Sequence, residues 1–118
     1  MSNQYKLLLL DIDGTLVASK PNALPTKRVV QTVKAAQSFG VHVAVVTGRA
    51  IYFARDVVDS LGLVGPSVFN GGPVVIDLPS GRVIHRQTIS VPRLQELVEL
   101  ALPFDTRYTL TLTSIQPK

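Results

Sequence analysis

The sequence predicts an α/β fold built on a parallel sheet with helices packed against it, and three observations carry that reading. First, two short runs, 7–10 and 41–46, are almost wholly apolar. Such runs fit strands buried on both faces, as parallel sheets require. Second, these runs alternate with segments of helical periodicity, and strand–helix–strand spacing of this kind implies right-handed crossovers. Third, Asp11, Thr47 and Asn70 each stand at the carboxyl end of a predicted strand. Open α/β sheets collect their reactive groups there.

Taken in order, the elements are these. Leu7 to Leu10 form the first strand, and a loop punctuated by Pro21 and Pro25 follows. Thr26 is an N-cap for a helix through about Phe39, with Val29, Val30, Val33 and Ala36 on one face. Gly40 supplies its left-handed stop. The β-branched run 41–46 is the second strand. Thr47-Gly48-Arg49 turns the chain into a second helix, whose buried stripe is Ala50, Ala54, Val57, Val58 and Leu61 and whose stop is Gly62. A short third strand, 67–70, runs into the turn Asn70-Gly71-Gly72-Pro73. Segments 74–77 and 82–87 flank Leu78-Pro79-Ser80-Gly81 and predict a hairpin. Ser90 and Pro92 open a third helix with an apolar face of Leu94, Leu97, Val98 and Ala101. The alternation of Thr and Leu over 108–113 predicts a last strand with one wet face.

Composition narrows the function. Apolar residues make up 46% of the 118 and charged residues 17%, which is globular and not disordered. No cysteine is present, which excludes disulfides and thiolate metal sites and suits a reducing compartment. The net charge of +4 comes from Lys and Arg scattered from Lys6 to Lys118. With no basic stripe, no nucleic-acid partner is expected. The N-terminal segment is polar, and the apolar run behind it is four residues long. A secretory signal or membrane span needs far more, so the expectation is a cytoplasmic protein without a membrane partner. The loop after the first strand lacks Gly-x-Gly-x-x-Gly, which argues against a dinucleotide site.

Two patterns carry chemistry. Asp11 and Asp13 place two carboxylates at one strand end, where like charges raise each other's pKa. A bound dication removes that cost, and carboxylate oxygens suit Mg²⁺. Gly14 permits a tight turn directly afterwards. Thr47-Gly48-Arg49 lies at a strand end before a helix, where free N–H groups favour an anion. Gly48 allows close approach of a phosphate, Thr47 adds a hydroxyl, and Arg49 adds a forked cation. Asn70 is a candidate for the same site by its strand-end position, although Asn-Gly is a turn signal in its own right. Lys20 and Lys27 read as surface residues, His42 and His85 as structural or exposed ones, and Tyr52 and Phe53 as packing groups.

With these residues in view, the chain resembles the haloacid dehalogenase superfamily of phosphohydrolases. Asp11-Ile12-Asp13-Gly14-Thr15-Leu16 is similar to its first motif and Val45-Val46-Thr47-Gly48-Arg49 to its second. Asn70-Gly71-Gly72-Pro73 resembles a segment of the Cof-like, sugar-phosphatase branch, with Gly72 where Ala is usual. The resemblance implies a Rossmann-like core whose N-terminal part spans 1–87, and the beginning of an α/β cap domain over 88–118. It implies Asp11 as nucleophile and Asp13 as general acid and base. It implies Mg²⁺ held by Asp11 and Asp13, and a phosphate ester bound by Gly14, Thr15, Thr47, Gly48, Arg49 and Asn70. The family's third and fourth motifs, a Lys and an acidic loop, have no counterpart here. The expectation is therefore a phosphatase of small phosphorylated metabolites that is truncated and weak or inactive as this chain alone. A non-catalytic phosphate-binding or assembly module is the alternative. The resemblance also implies a further strand beside the first; without it, 7–10 becomes an open edge prone to self-association.

Overall fold

The computed structural model describes residues 4–104. The strand expected over 108–113 lies outside the described residues. The elements are β1 (Leu7–Leu10), α1 (Lys27–Ser38), β2 (His42–Val45), α2 (Ile51–Leu61), β3 (Gly65–Phe69), β4 (Val74–Leu78), β5 (Arg82–Arg86) and α3 (Val91–Ala101). They fall into two compact units, 1–86 and 87–118.

In the first unit β1 and β2 pair in parallel, from Leu7 opposite His42 to Leu10 opposite Val45. β3 joins them in parallel through one bridge, Val46 to Val68. The join is reinforced on both sides. Thr47 N–H donates to the Val68 carbonyl at 3.0 Å, and Val45 N–H donates to Ser67 Oγ at 3.2 Å. The expected α/β fold with a parallel sheet is thus present at its core. β3 differs from expectation in beginning at Gly65 and in pairing antiparallel with β4 along its whole length, Gly65 opposite Leu78 and Phe69 opposite Val74. The cause is local. Asn70 and Gly71 both take positive φ, 60° and 78°, and reverse the chain at once. β4 and β5 form the expected hairpin.

The helices follow their sequence signals. Thr26 Oγ1 accepts from Val29 N–H at 3.3 Å and caps α1. α2 buries Ala54, Val57, Val58 and Leu61. Ile12, Val43, Val45, Phe69, Val74 and Ile76 are likewise nearly inaccessible to solvent. Burying such side chains supplies the main driving force for this unit.

β1 requires a correction. Its four leucines predict burial on both faces, but Leu7, Leu8 and Leu9 are 51%, 39% and 55% exposed. The reason is topological: among the described residues β1 has a hydrogen-bonded neighbour, β2, on one side only.

In the second unit Ser90 is the N-cap of α3 and Pro92 lies in its first turn, as expected. Its apolar face, however, contains no buried residue. Leu97, Leu100, Ala101 and Phe104 line an open apolar hollow of about 350 Å³. Among the described residues no helix is long and apolar enough to cross a membrane.

Candidate active site

The loop after β1 is organised by one carbonyl. Ile12 is fully buried, and its oxygen accepts from Thr15, Leu16 and Val17 N–H at 3.3, 3.0 and 3.1 Å. Gly14, at φ 78°, closes the ring by donating to the Val17 carbonyl at 2.8 Å. A side chain at Gly14 would press on Ser19 Oγ at 3.3 Å. Burying Ile12 leaves its neighbours Asp11 and Asp13 both exposed. Asp11 Oδ1 accepts from Ile12 N–H at 2.8 Å, which orients that carboxylate.

The loop after β2 starts beside Asp11, because Val46 N–H donates to the Leu10 carbonyl at 2.9 Å. Thr47 is 3% exposed. Its Oγ1 accepts from Arg49 N–H at 3.1 Å. An oxygen that accepts this bond keeps its own proton free to donate. A Cβ on Gly48 would meet no atom within 4 Å, so the approach to this stretch of backbone is open. α2 follows this turn as the sequence suggests, with Ala50 as its N-cap and no side-chain cap, while the Thr47 hydroxyl is engaged within the loop.

The third loop is fastened to the second by its main chain. Asn70 N–H donates to the Arg49 carbonyl and Gly71 N–H to the Thr47 carbonyl, each at 3.0 Å. The candidates Asp11, Asp13, Gly14, Thr15, Thr47, Gly48, Arg49 and Asn70 therefore occupy three adjoining strand-end loops of the first unit.

One contact joins the first and second loops directly. Arg49 Nε donates to Asp13 Oδ2 at 2.8 Å, and Nη2 to Asp13 Oδ1 at 2.5 Å. Nη1 donates to the Phe53 carbonyl at 3.1 Å. Hydrogen bonding from Arg49 holds the Asp13 carboxyl below its usual range, and Asp13 in turn raises the Arg49 pKa. Sequence reasoning missed this pair, since nothing in spacing links residues 36 apart. It also missed Ser67, a 1%-exposed hydroxyl that holds β2 against β3 beneath the site. Tyr52 and Phe53 pack on each other at the surface, centroids 4.1 Å apart, and are 60% and 66% exposed.

The donors fit part of a magnesium shell. Asp11 offers an exposed carboxylate, and the Asp13 carbonyl accepts no main-chain bond among the described residues. Mg²⁺ is commonly held by one or two carboxylates with waters and substrate phosphate completing the octahedron. No cluster of three His, Cys, Asp or Glu able to hold a metal occurs among the described residues.

Comparison with known proteins gives a consistent picture. The family described as haloacid dehalogenase-like hydrolase matches residues 8–114. A phosphatase of Bacillus subtilis, YwpJ, is 32% identical over 93 residues, covering 79% of this chain and 32% of the relative. A phosphoglycolate phosphatase of Metallosphaera sedula is 32% identical over 102 residues, covering 86% of this chain and 44% of the relative. The chain therefore spans less than half the length of these relatives. A solved haloalkanoate-superfamily phosphatase from Bacteroides thetaiotaomicron superposes with a TM-score of 0.75 at 26% identity, covering 88% of this chain and 37% of that one.

Proposed function

The chain belongs to the haloacid dehalogenase-like hydrolases, and on that premise we propose that it carries the nucleophile half of a magnesium-dependent phosphatase site for small phosphorylated metabolites. The observation that carries this reading is the convergence of Asp11, Asp13, Thr47 and Asn70 on three loops tied together at one end of the sheet. Sugar phosphates are the substrate class that the Cof-like resemblance favours, and the cytoplasm is the compartment it suits.

Asp11 attacks phosphorus, its carboxylate already oriented by Ile12 N–H, and forms an aspartyl-phosphate as the alcohol leaves. Asp13 gives the leaving oxygen its proton, then takes one from the water that hydrolyses the acyl phosphate. Its ionised form, favoured by Arg49, is the base of the second half. An arriving phosphate dianion raises the Asp13 pKa and so favours the acid of the first half. The Thr47 hydroxyl and the open Gly48 backbone donate to phosphoryl oxygens, where charge stabilisation matters most. Mg²⁺, held by the Asp11 carboxylate and the Asp13 carbonyl, would neutralise charge on those oxygens.

The test is turnover of p-nitrophenyl phosphate with Mg²⁺. The expected result is weak turnover abolished by Asp11→Asn; turnover that survives this substitution removes the nucleophile assignment. The open backbone at Gly48 beside the Thr47 hydroxyl also supports a second reading, a phosphate-binding module without catalysis. That reading predicts binding of inorganic phosphate and no turnover.

A further inference from the structure

We infer that Arg49 is a positioning residue that sets the Asp13 carboxylate, and not a ligand of the phosphoryl group. The inference rests on the phosphatase reading for what Asp13 does and on geometry for what Arg49 does. Three of the five guanidinium N–H groups are engaged within the chain, one on each nitrogen: Nε and Nη2 donate to the two Asp13 oxygens, and Nη1 to the Phe53 carbonyl. A fork-to-fork pair fixes both the direction and the plane of a carboxylate. The Phe53 contact fixes the fork itself, because Phe53 lies in the first turns of α2.

Exposure orders the two groups. The Arg49 side chain is 18% exposed and that of Asp13 44%, so the arginine is the more covered member of the pair. The main chain of Arg49 extends the role, donating to Thr47 Oγ1 and accepting from Asn70 N–H. One residue thus touches the loops after β1, β2 and β3. Turning the guanidinium toward a phosphate breaks two bonds to Asp13 and frees its carboxylate to swing away from the leaving oxygen.

Two measurements test this. The first is steady-state turnover of p-nitrophenyl phosphate with Mg²⁺ by wild type and Arg49→Gln, with and without Asp13→Asn. Misplacing a general acid–base group costs on the order of a hundredfold. The expected result is a kcat loss of about that size with KM within about threefold, and no further loss in the Asp13→Asn background. A KM rise beyond about tenfold with kcat retained overturns the inference, and so does an equal loss in both backgrounds. The second needs no turnover: the ¹⁵N–¹H resonance of Arg49 Nε in the wild-type chain. It is expected to be protected from exchange, to lose that protection in Asp13→Asn, and to stay in place when inorganic phosphate is added. A resonance that moves with phosphate and ignores Asp13 overturns the inference. A wild type without turnover counts against the phosphatase reading alone, and the resonance still decides the role of Arg49.

Discussion

Asp13 and Arg49 show most directly how single residues set the properties of this molecule. The Asp13 carboxyl is held below its usual value by Arg49, so the folded chain binds fewer protons there than the unfolded chain. The stabilisation is present above the unfolded carboxyl pKa and is lost as pH falls through the lower folded value. In metal-free buffer, the difference in Tm between wild type and Asp13→Asn should therefore be widest near neutrality and close below about pH 4; a gap independent of pH would refute the pairing in solution. Gly65 makes a second point. Its φ is 89°, and a Cβ there would come within 2.7 Å of His42 Cε1. The exposed imidazole can swing aside, but the backbone strain remains. Gly65→Ala should cost about 1–3 kcal/mol in chemical denaturation, and removing the ring as well, with His42→Ala, should recover only part of it. Asp11 and Thr47 were legible in the sequence because strand ends announce themselves. The Asp13–Arg49 pair was not, because a contact across two loops leaves no period to read.

At the scale of elements, local signals worked where local physics decides. α1 starts at its Thr26 cap and α2 buries the stripe that its spacing drew. α2 likewise begins where its turn predicts, directly after Thr47-Gly48-Arg49, with Ala50 as its N-cap. The antiparallel pairing of β3 with β4 was hidden in a turn signal, Asn70-Gly71, whose consequence for register sequence spacing does not show. The β2–β3 junction is the element contact most open to attack. Val45 N–H is bonded to Ser67 Oγ, and Val45 itself is fully buried. Ser67→Ala strands that N–H, and losing a partner in such a setting costs about 1–3 kcal/mol. The loops carrying Thr47 and Asn70 hang from this junction, so hydrogen exchange at both should quicken in the same variant. Leu61→Ala, at the buried end of α2, should cost more, about 2–5 kcal/mol by calorimetry, while leaving exchange at Asn70 and Gly71 slow. If the two variants loosen the loops equally, the junction has no special hold on the site.

Burial belongs to the whole molecule, and it is where four leucines in a row misled. The run correctly announces a strand and its apolar character, but being covered depends on neighbours that no local pattern encodes. One face of β1 looks toward α1, where Leu8 and Leu10 share an open groove of about 410 Å³ with Val29, Val33 and Ala36. Leu7 and Leu9, 51% and 55% exposed, alternate with them and so point to the opposite face. Beyond β1 no strand pairs with it among the described residues. A strand that is apolar on both faces and has an unpaired edge is a template for another chain, since pairing satisfies its N–H and C=O groups and covers its side chains together. We propose that the isolated chain self-associates through this edge. Sedimentation equilibrium should give a weight-average mass that rises above the 12.8 kDa of the monomer as concentration increases. Leu9→Lys should return it toward that value, because an edge lysine must be desolvated for a second strand to pair. The same substitution should leave the Tm of the monomer nearly unchanged, as the side chain is half in water already. A chain that stays monomeric across the accessible range, or a lysine that fails to shift the mass, would show that the twist of a two-stranded edge is protection enough.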